Sequence, residues 1–209
     1  MRPAAVILAG GRSSRMGGGD KCLLPVQGKS LIAHILETLA PQTRDVLINT
    51  NSDPGPFLKF GLPVLPDAMT GFQGPLAGLL TGMLWSRRRH PHQVYLLSVA
   101  GDVPFLPQDL VTRLYTSLMD DQADIAIAAC PDSNHPTIGL WPVDLAERLE
   151  HDLMETSIRS MLDWSSSFRV ARTQFSSDVL TNINTPAELD VCRKSRPGHL
   201  RLDLAAASI

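Results

Sequence analysis

The chain has little cysteine, few aromatics and no dominant sign of charge. Cys22, Cys130 and Cys192 are its three cysteines in 209 residues, widely spaced and without a CxxC pair. That pattern excludes a disulfide framework and a cysteine-rich zinc site, and it fits a reducing, cytoplasmic compartment. Lys and Arg number 19 against 21 Asp and Glu, a net charge of −2, which argues against nucleic acid or an anionic membrane as the main partner. No apolar run approaches the roughly 20 residues of a membrane span, and the apolar stretch in "MRPAAVILAGG" is too short for a leader. Two phosphate-binding motifs are missing as well. G-x-x-x-x-G-K-[ST] would need a glycine at Leu23 to join Gly28-Lys29-Ser30, and G-x-G-x-x-G built on Gly17 and Gly19 would need one at Cys22. The G-K-S therefore reads as a turn into a helix.

What is present is ordinary globular composition, 44% hydrophobic and 19% charged, enough for one well-buried domain over residues 1–195. The stretch 196–209 is weakly patterned and reads as a loose tail. "AAVILA" (4–9) is a short apolar run closed by glycine, the mark of a buried parallel strand. Behind Ser30 as a possible N-cap, "LIAHILETLA" has helical spacing. "DVLINT" (45–50), "LPVLPD" (62–67), "VYLLSVAGD" (94–102), "ADIAIAA" (123–129) and "PTIGLW" (136–141) read as strands, the second confined to an edge or end by its prolines. "GPLAGLLTGMLW" (74–85) and "PQDLVTRLYTSL" (107–118) read as helices. The alternation predicts an α/β fold, a mostly parallel sheet with helices on both faces. Ligands of such sheets sit beyond the carboxyl ends of the strands, where the glycine loop, Asn49 and Asp102 fall.

The glycine loop itself is "LAGGRSSRMGGGDKCLLP" (8–25). Backbone N–H groups around Gly10, Gly11 and Ser14 can cradle phosphate oxygens. Arg15 and Lys21 add positive charge, one as a planar fork and one as a point charge.

This stretch, of form L-A-G-G-x-S-x-R-M-G-x(2)-D-K, is followed in order by "GPLAGL" (74–79), "GDVPFLP" (101–107), "HPTIGLW" (135–141) and "NINTPAEL" (182–189). Together they resemble the signature of the nucleoside-triphosphate transferases of the molybdenum cofactor guanylyltransferase (MobA) type, over about residues 5–190. The resemblance implies a three-layer Rossmann-like α/β sandwich with an inserted strand pair. It implies a nucleotide-binding half over about 1–105 and an acceptor-binding half over about 106–195. The implied reaction moves GMP from GTP onto molybdopterin or its molybdenum-bearing form and releases pyrophosphate. Transient molybdoenzyme or cofactor-biosynthesis partners would fit a labile product.

Such a displacement at phosphorus needs positioning and charge neutralisation. A phosphate monoester acceptor, with its second pKa near 6, needs no dedicated base. Mg²⁺ prefers one or two carboxylates with phosphate oxygens and water, and Asp102 is the candidate ligand, by residue type and by resemblance. The plainer reading, that Asp102 caps the next helix, suits Asp109 better. Lys21 is the expected transition-state cation and Arg15 the second. The backbone of Leu8, Ala9 and Gly10, helped by Gly78, is the candidate base reader. Asn49 and Asp67 match positions that the family uses for nucleotide contacts, although Asp67 could equally be an exposed turn acid. Asn182 and Asn184 are candidates on the metal and acceptor side, and they also form a good helix start with Thr185 as N-cap and Pro186 at N1. His135 is an acceptor-side candidate.

The basic run "SRRRHPH" (86–92) reads as a solvated connection, and Trp85, Trp141 and Trp164 as core or rim packing. Cys22 stands where a smaller residue is expected, which puts the loop geometry in question. Two other readings remain: a CTP-dependent molybdopterin cytidylyltransferase, against which the "LAGG" opening speaks, and a non-catalytic nucleotide-binding module that delivers cofactor. More distant sugar-nucleotide pyrophosphorylases share the loop in longer chains.

Overall fold

The computed structural model describes residues 1–10, 20–71, 74–156, 158, 160–177 and 179–194. The apolar run at the start forms β1 (Ala4–Leu8), buried along its whole length. A small hairpin, β2 (Pro25–Val26) and β3 (Lys29–Ser30), leads into α1 (Leu31–Leu39). Then come β4 (Val46–Asn49), β5 (Val64–Leu65), α2 (Pro75–Arg89), β6 (Tyr95–Ala100) and α3 (Leu110–Asp120). The chain continues through β7 (Ile125–Cys130), β8 (Ser133–Pro142), α4 (Ala146–Glu155), α5 (Met161–Ser165), β9 (Val170–Gln174) and α6 (Pro186–Lys194).

Seven strands make one sheet in the order β5-β4-β1-β6-β8-β7-β9, with β2 and β3 apart from it. The β5-β4, β4-β1, β1-β6 and β7-β9 pairs are parallel, and β8 runs antiparallel between β6 and β7. The proline-flanked β5 lies at the edge, where missing N–H donors do no harm.

Alternation along β1 builds the layers. Ala5 and Ile7 join the core formed with Ile32, Ile35 and Leu39 of α1 and Leu110, Leu114 and Leu118 of α3. Ala4, Val6 and Leu8 face the other way, onto Leu76, Leu79, Leu80 and Met83 of α2 and Leu149 and Leu153 of α4. Strand residues point to opposite faces with period two, so each side of a doubly covered strand must be apolar. That is why "AAVILA" is continuous instead of alternating. Trp141 and Trp164 stack in the second core with ring centroids 5.7 Å apart, and the Trp141 indole N–H donates to Ser98 Oγ. Among the described residues no helix is long and apolar enough to cross a membrane.

Several local expectations change. Helix α2 runs to Arg89, so Arg87, Arg88 and Arg89 form its last turn and are not a connecting loop. Cations there complement the negative end of the helix. Ser30 and Asp109 occupy N-cap positions, but neither side chain makes a capping hydrogen bond. Of Gly28-Lys29-Ser30, Gly28 closes the hairpin turn at φ +83°, a conformation that favours glycine, and Lys29-Ser30 are β3.

Candidate active site

The carboxyl ends of β1 and β6 lie side by side, tied by Gly101 N–H to the Leu8 carbonyl at 3.0 Å. Beyond them the chain brings four of the expected residues together. Lys21 opens a short 3-10 turn whose next residue, Cys22, is buried. Burial, helped by the Asp20 charge, pushes the Cys22 thiol up to about 12. Cys22 thus packs as a small apolar side chain, and residues 11–19 of the glycine loop before it lie outside the described residues. The Lys21 ammonium donates to Asp102 Oδ2 at 2.8 Å and to Asn184 Oδ1 at 2.7 Å. Asn182 Nδ2 donates to the other carboxylate oxygen, Asp102 Oδ1, at 3.1 Å. Ile183 N–H donates to the Asp102 carbonyl at 3.0 Å, so the 182–184 strip is stitched to the Asp102 loop by backbone as well as side chains.

The same strip is pinned from behind by α6. Thr185 is its N-cap: the Glu188 N–H donates to Thr185 Oγ1 at 3.2 Å, and the Glu188 carboxylate accepts from Thr185 N–H at 2.9 Å. This is a reciprocal capping box, and the Asn184 N–H joins it by donating to the same Glu188 oxygen. Asn184 therefore both meets Lys21 and belongs to a helix start, as the two readings of "NINTPAEL" allow together.

Asp102 and Asn184 present oxygens that already converge on one cation, the ammonium of Lys21. One carboxylate and one amide carbonyl make a hard, oxygen-only donor set, which suits a divalent ion that completes its shell with phosphate oxygens and water. Among the described residues no three of His, Cys, Asp and Glu gather as a ligand set.

A second cluster lies at the β4-β5 side. Asn49, buried at the end of β4, donates from Nδ2 to the Leu65 carbonyl at 3.2 Å and to Asp67 Oδ1 at 3.0 Å. Asn51 Nδ2 donates to Asp67 Oδ2 at 2.8 Å, and Asp67 N–H donates back to Asn51 Oδ1 at 2.9 Å. Asp67 is thus no loose turn acid, because each of its oxygens is held by a separate amide. Asn51 was missed in the sequence. No local signal marked it, because its contact with Asp67 forms only through the β4-β5 register.

Gly78, inside α2, explains how Asn49 is seated. A Cβ at Gly78 would lie 2.3 Å from Asn49 Oδ1 and 2.7 Å from Leu8 Cδ2. The glycine lets the helix close onto the strand ends. Of the expected backbone readers, the Leu8 carbonyl is engaged by Gly101 and the Ala9 N–H by the Asn49 carbonyl at 2.9 Å, whereas Gly10 is exposed.

His135, on β8, is half-buried, with a ring nitrogen 3.1 Å from Ser133 Oγ. Burial holds its pKa below the ordinary histidine value, and the Asp102 charge opposes that shift, which puts it within electrostatic reach of the Asp102 cluster. Gly11 and Arg15 lie outside the described residues. The Arg87–Arg89 turn is at the opposite end of the sheet, where Arg44, Arg89, His90 and His92 line a hollow of about 180 Å³.

Comparison with known proteins bears on this arrangement. The model of the MobA-like NTP transferase domain matches residues 5–171. Over 187 residues the chain is 43% identical to a molybdenum cofactor guanylyltransferase of Bradyrhizobium sp. (strain ORS 278), covering 88% of each chain. Over 195 residues it is 39% identical to one of Yersinia pseudotuberculosis (serotype O:1b, strain IP 31758), covering 92% of this chain and 96% of that one. The crystal structure of molybdopterin-guanine dinucleotide biosynthesis protein A from Archaeoglobus fulgidus matches with a TM-score of 0.69 at 21% identity, covering 91% of this chain and 97% of that one. A CMP:2-keto-3-deoxy-manno-octonic acid synthetase complexed with CTP matches with a TM-score of 0.70 at 16% identity, covering 100% of both chains. At that identity the likeness is one of fold. The chain belongs to the MobA-like NTP transferase family.

Proposed function

We propose that this chain transfers GMP from GTP to molybdenum cofactor, forming the guanine dinucleotide cofactor and pyrophosphate. Family membership supports the reaction class, and the names of its relatives support the substrates. The observation that carries the residue roles is the convergence of Lys21, Asp102, Asn182 and Asn184 between the β1 and β6 ends.

The strand order supports the following layout of the substrates. The guanine rests at the β5-β4 side, the phosphates over the loop after β1, and the acceptor toward β6, β8 and β7. Asp67 accepts hydrogen bonds from guanine N1–H and its 2-amino group. Asn49 supports that carboxylate from within the core, and Gly10 offers open backbone beside it. The Gly10-Gly11 amides and Arg15 receive the phosphates. The terminal phosphate oxygen of the acceptor bonds to the α-phosphorus as the α–β bridging bond breaks, and the electron pair leaves on pyrophosphate. Lys21 neutralises charge growing on the phosphoryl oxygens, where a fixed cation acts without reorganising. Asp102 and Asn184 would hold Mg²⁺, which draws charge from the α-phosphoryl and pyrophosphate oxygens. Asn182 keeps the Asp102 carboxylate turned toward the site, and His135 lines the acceptor side. The nucleotide belongs to the half at about 1–105 and the acceptor to the half at about 106–195. None of Cys22, Cys130 and Cys192 is in a disulfide, in keeping with a cytoplasmic enzyme.

Incubation of the purified protein with GTP, MgCl₂ and molybdopterin should yield the dinucleotide cofactor and pyrophosphate. Turnover with CTP and none with GTP would overturn the nucleotide assignment. Full activity in an Asp102→Ala variant would overturn the role of that carboxylate.

A further inference from the structure

We infer that Asn51 is a positioning residue for guanine selection, acting through Asp67; this rests on the proposed reading of Asp67 as the acceptor for the base. The register of the β4-β5 pair carries the argument. Ile48 pairs with Val64 and Asn49 with Leu65, and Thr50 N–H donates to the Leu65 carbonyl at 3.0 Å. Continuing that register two residues past the strand ends sets residue 51 opposite residue 67. There Asn51 and Asp67 close a two-bond ring, Nδ2 to Oδ2 at 2.8 Å and N–H to Oδ1 at 2.9 Å.

The ring fixes more than a loop. A carboxylate has about four acceptor positions, two per oxygen. Asn49 fills one on Oδ1 and Asn51 fills one on Oδ2. One position remains on each oxygen, side by side, and that is what a base with two adjacent N–H donors requires. Guanine presents such a pair in N1–H and the 2-amino group; cytosine and adenine present no such pair of neighbouring donors on their pairing edges. Asn49 is clamped in the core, whereas Asn51 and its ring are exposed. Removal of Asn51 therefore frees the carboxylate to rotate about one remaining side-chain bond without opening the core.

The test is steady-state kinetics with GTP and with ITP, which keeps N1–H and lacks the 2-amino group, on the wild type, Asn51→Ala, Asn51→Asp and Asp67→Asn. Asn51→Ala should raise the KM for GTP about tenfold with kcat nearly unchanged, and should shrink the GTP-over-ITP preference by a similar factor. Asn51→Asp, which sets a second carboxylate against Asp67, should be worse than Ala at neutral pH and should recover toward it as the pH is lowered. An unchanged GTP-over-ITP ratio in Asn51→Ala, with Asp67→Asn still lowering it, overturns the role of Asn51 alone. If Asp67→Asn also leaves the ratio unchanged, the reading of Asp67 is what fails. Loss of kcat and of the melting transition together in Asn51→Ala would make the residue a fold element and overturn the inference.

Discussion

Two concentrations of positive charge stand at opposite ends of the same sheet, and they differ in what surrounds them. At the carboxyl ends of β1 and β6, the Lys21 ammonium is 15% exposed in its side chain, with Asp102 and Asn184 oxygens converging on it. At the amino ends of β4 and β6, Arg87, Arg88 and Arg89 follow one another in the last turn of α2. Their partners among the described residues hold them loosely: Arg87 meets the exposed Glu147 at 3.3 Å, and the exposed Arg89 meets the half-buried Asp45 at 3.4 Å. Exposed pairs of that kind contribute about 0–1 kcal/mol. Density of charge in the sequence favours the second region; fixation by neighbouring oxygens favours the first. A cation whose position is set before the reaction stabilises a transition state without reorganising, so we propose the Lys21 cluster as the site of the chemistry.

The largest effect should come from breaking that fixed cluster. Lys21→Ala and Asp102→Ala should each lower kcat by roughly a hundred- to a thousandfold, the range for removal of one preorganised charge or donor. Lys21→Arg should not restore activity fully, because a planar fork cannot occupy a seat shaped for a point charge between two oxygens. Single-turnover rates with GTP, measured alongside GTP binding, check that the loss lies in the chemical step.

Gly78→Ala should come next. Its added methyl group would fall on Asn49 Oδ1 at 2.3 Å, so either α2 shifts or Asn49 loses its hold on Asp67. We expect a loss of about 1–3 kcal/mol in stability, the usual range for overpacking, together with a raised KM for GTP. Chemical denaturation and initial-rate kinetics separate the two consequences. A variant with unchanged KM would show that Asn49 does not transmit the strain to Asp67.

How much of this was legible in the sequence follows from what each feature depends on. Buried strands announce themselves locally, because a strand covered on both faces must be apolar at every position, as β1 is. The Lys21, Asp102 and Asn184 set was legible by motif, although the residues lie far apart in the chain, since each segment ends a strand or starts a helix in a recognisable way. The Asn51–Asp67 ring was not, because its 16-residue span becomes a contact only through the β4-β5 register. The end of α2 was misread for a different reason: consecutive arginines look like a loop, yet they are good helix formers at the helix end that favours cations. Ser30 and Asp109 were placed correctly at helix starts, but the backbone alone makes those turns.

A smaller effect concerns His135. Its pKa in the folded protein lies below the ordinary value of 6.5, chiefly through burial. The unfolded chain therefore takes up the proton more readily, and stability should fall as the pH drops from about 6.5 toward the lower folded value. Above that window both states are neutral and His135 contributes no slope. Because Asp102 opposes the shift and the ring is half open to water, the slope should be shallow. His135→Gln should flatten it, seen as a smaller difference in melting temperature between about pH 5 and pH 8. A steeper slope in the variant would mean that Asp102 outweighs burial at this ring.

The smallest expected effect is the sharpest check on the comparison. Arg88→Ala, and the double variant Arg87→Gln with Arg88→Gln, should leave kcat and the KM for GTP within about twofold and shift stability by no more than about 0.5 kcal/mol, as for surface substitutions generally. These residues are exposed, lie at the end of the sheet away from Asp102, and meet no buried partner among the described residues. Their field at the site must cross far more than the roughly 8 Å over which physiological salt screens exposed charge. Raising ionic strength should therefore leave the double variant and the wild type in the same ratio. A tenfold higher KM for the anionic acceptor in the double variant at low salt, with the wild type rising to meet it as salt is added, would show that charge at the far end steers substrate to the site. The contrast between fixed and unfixed charge would then hold for the chemical step but not for capture.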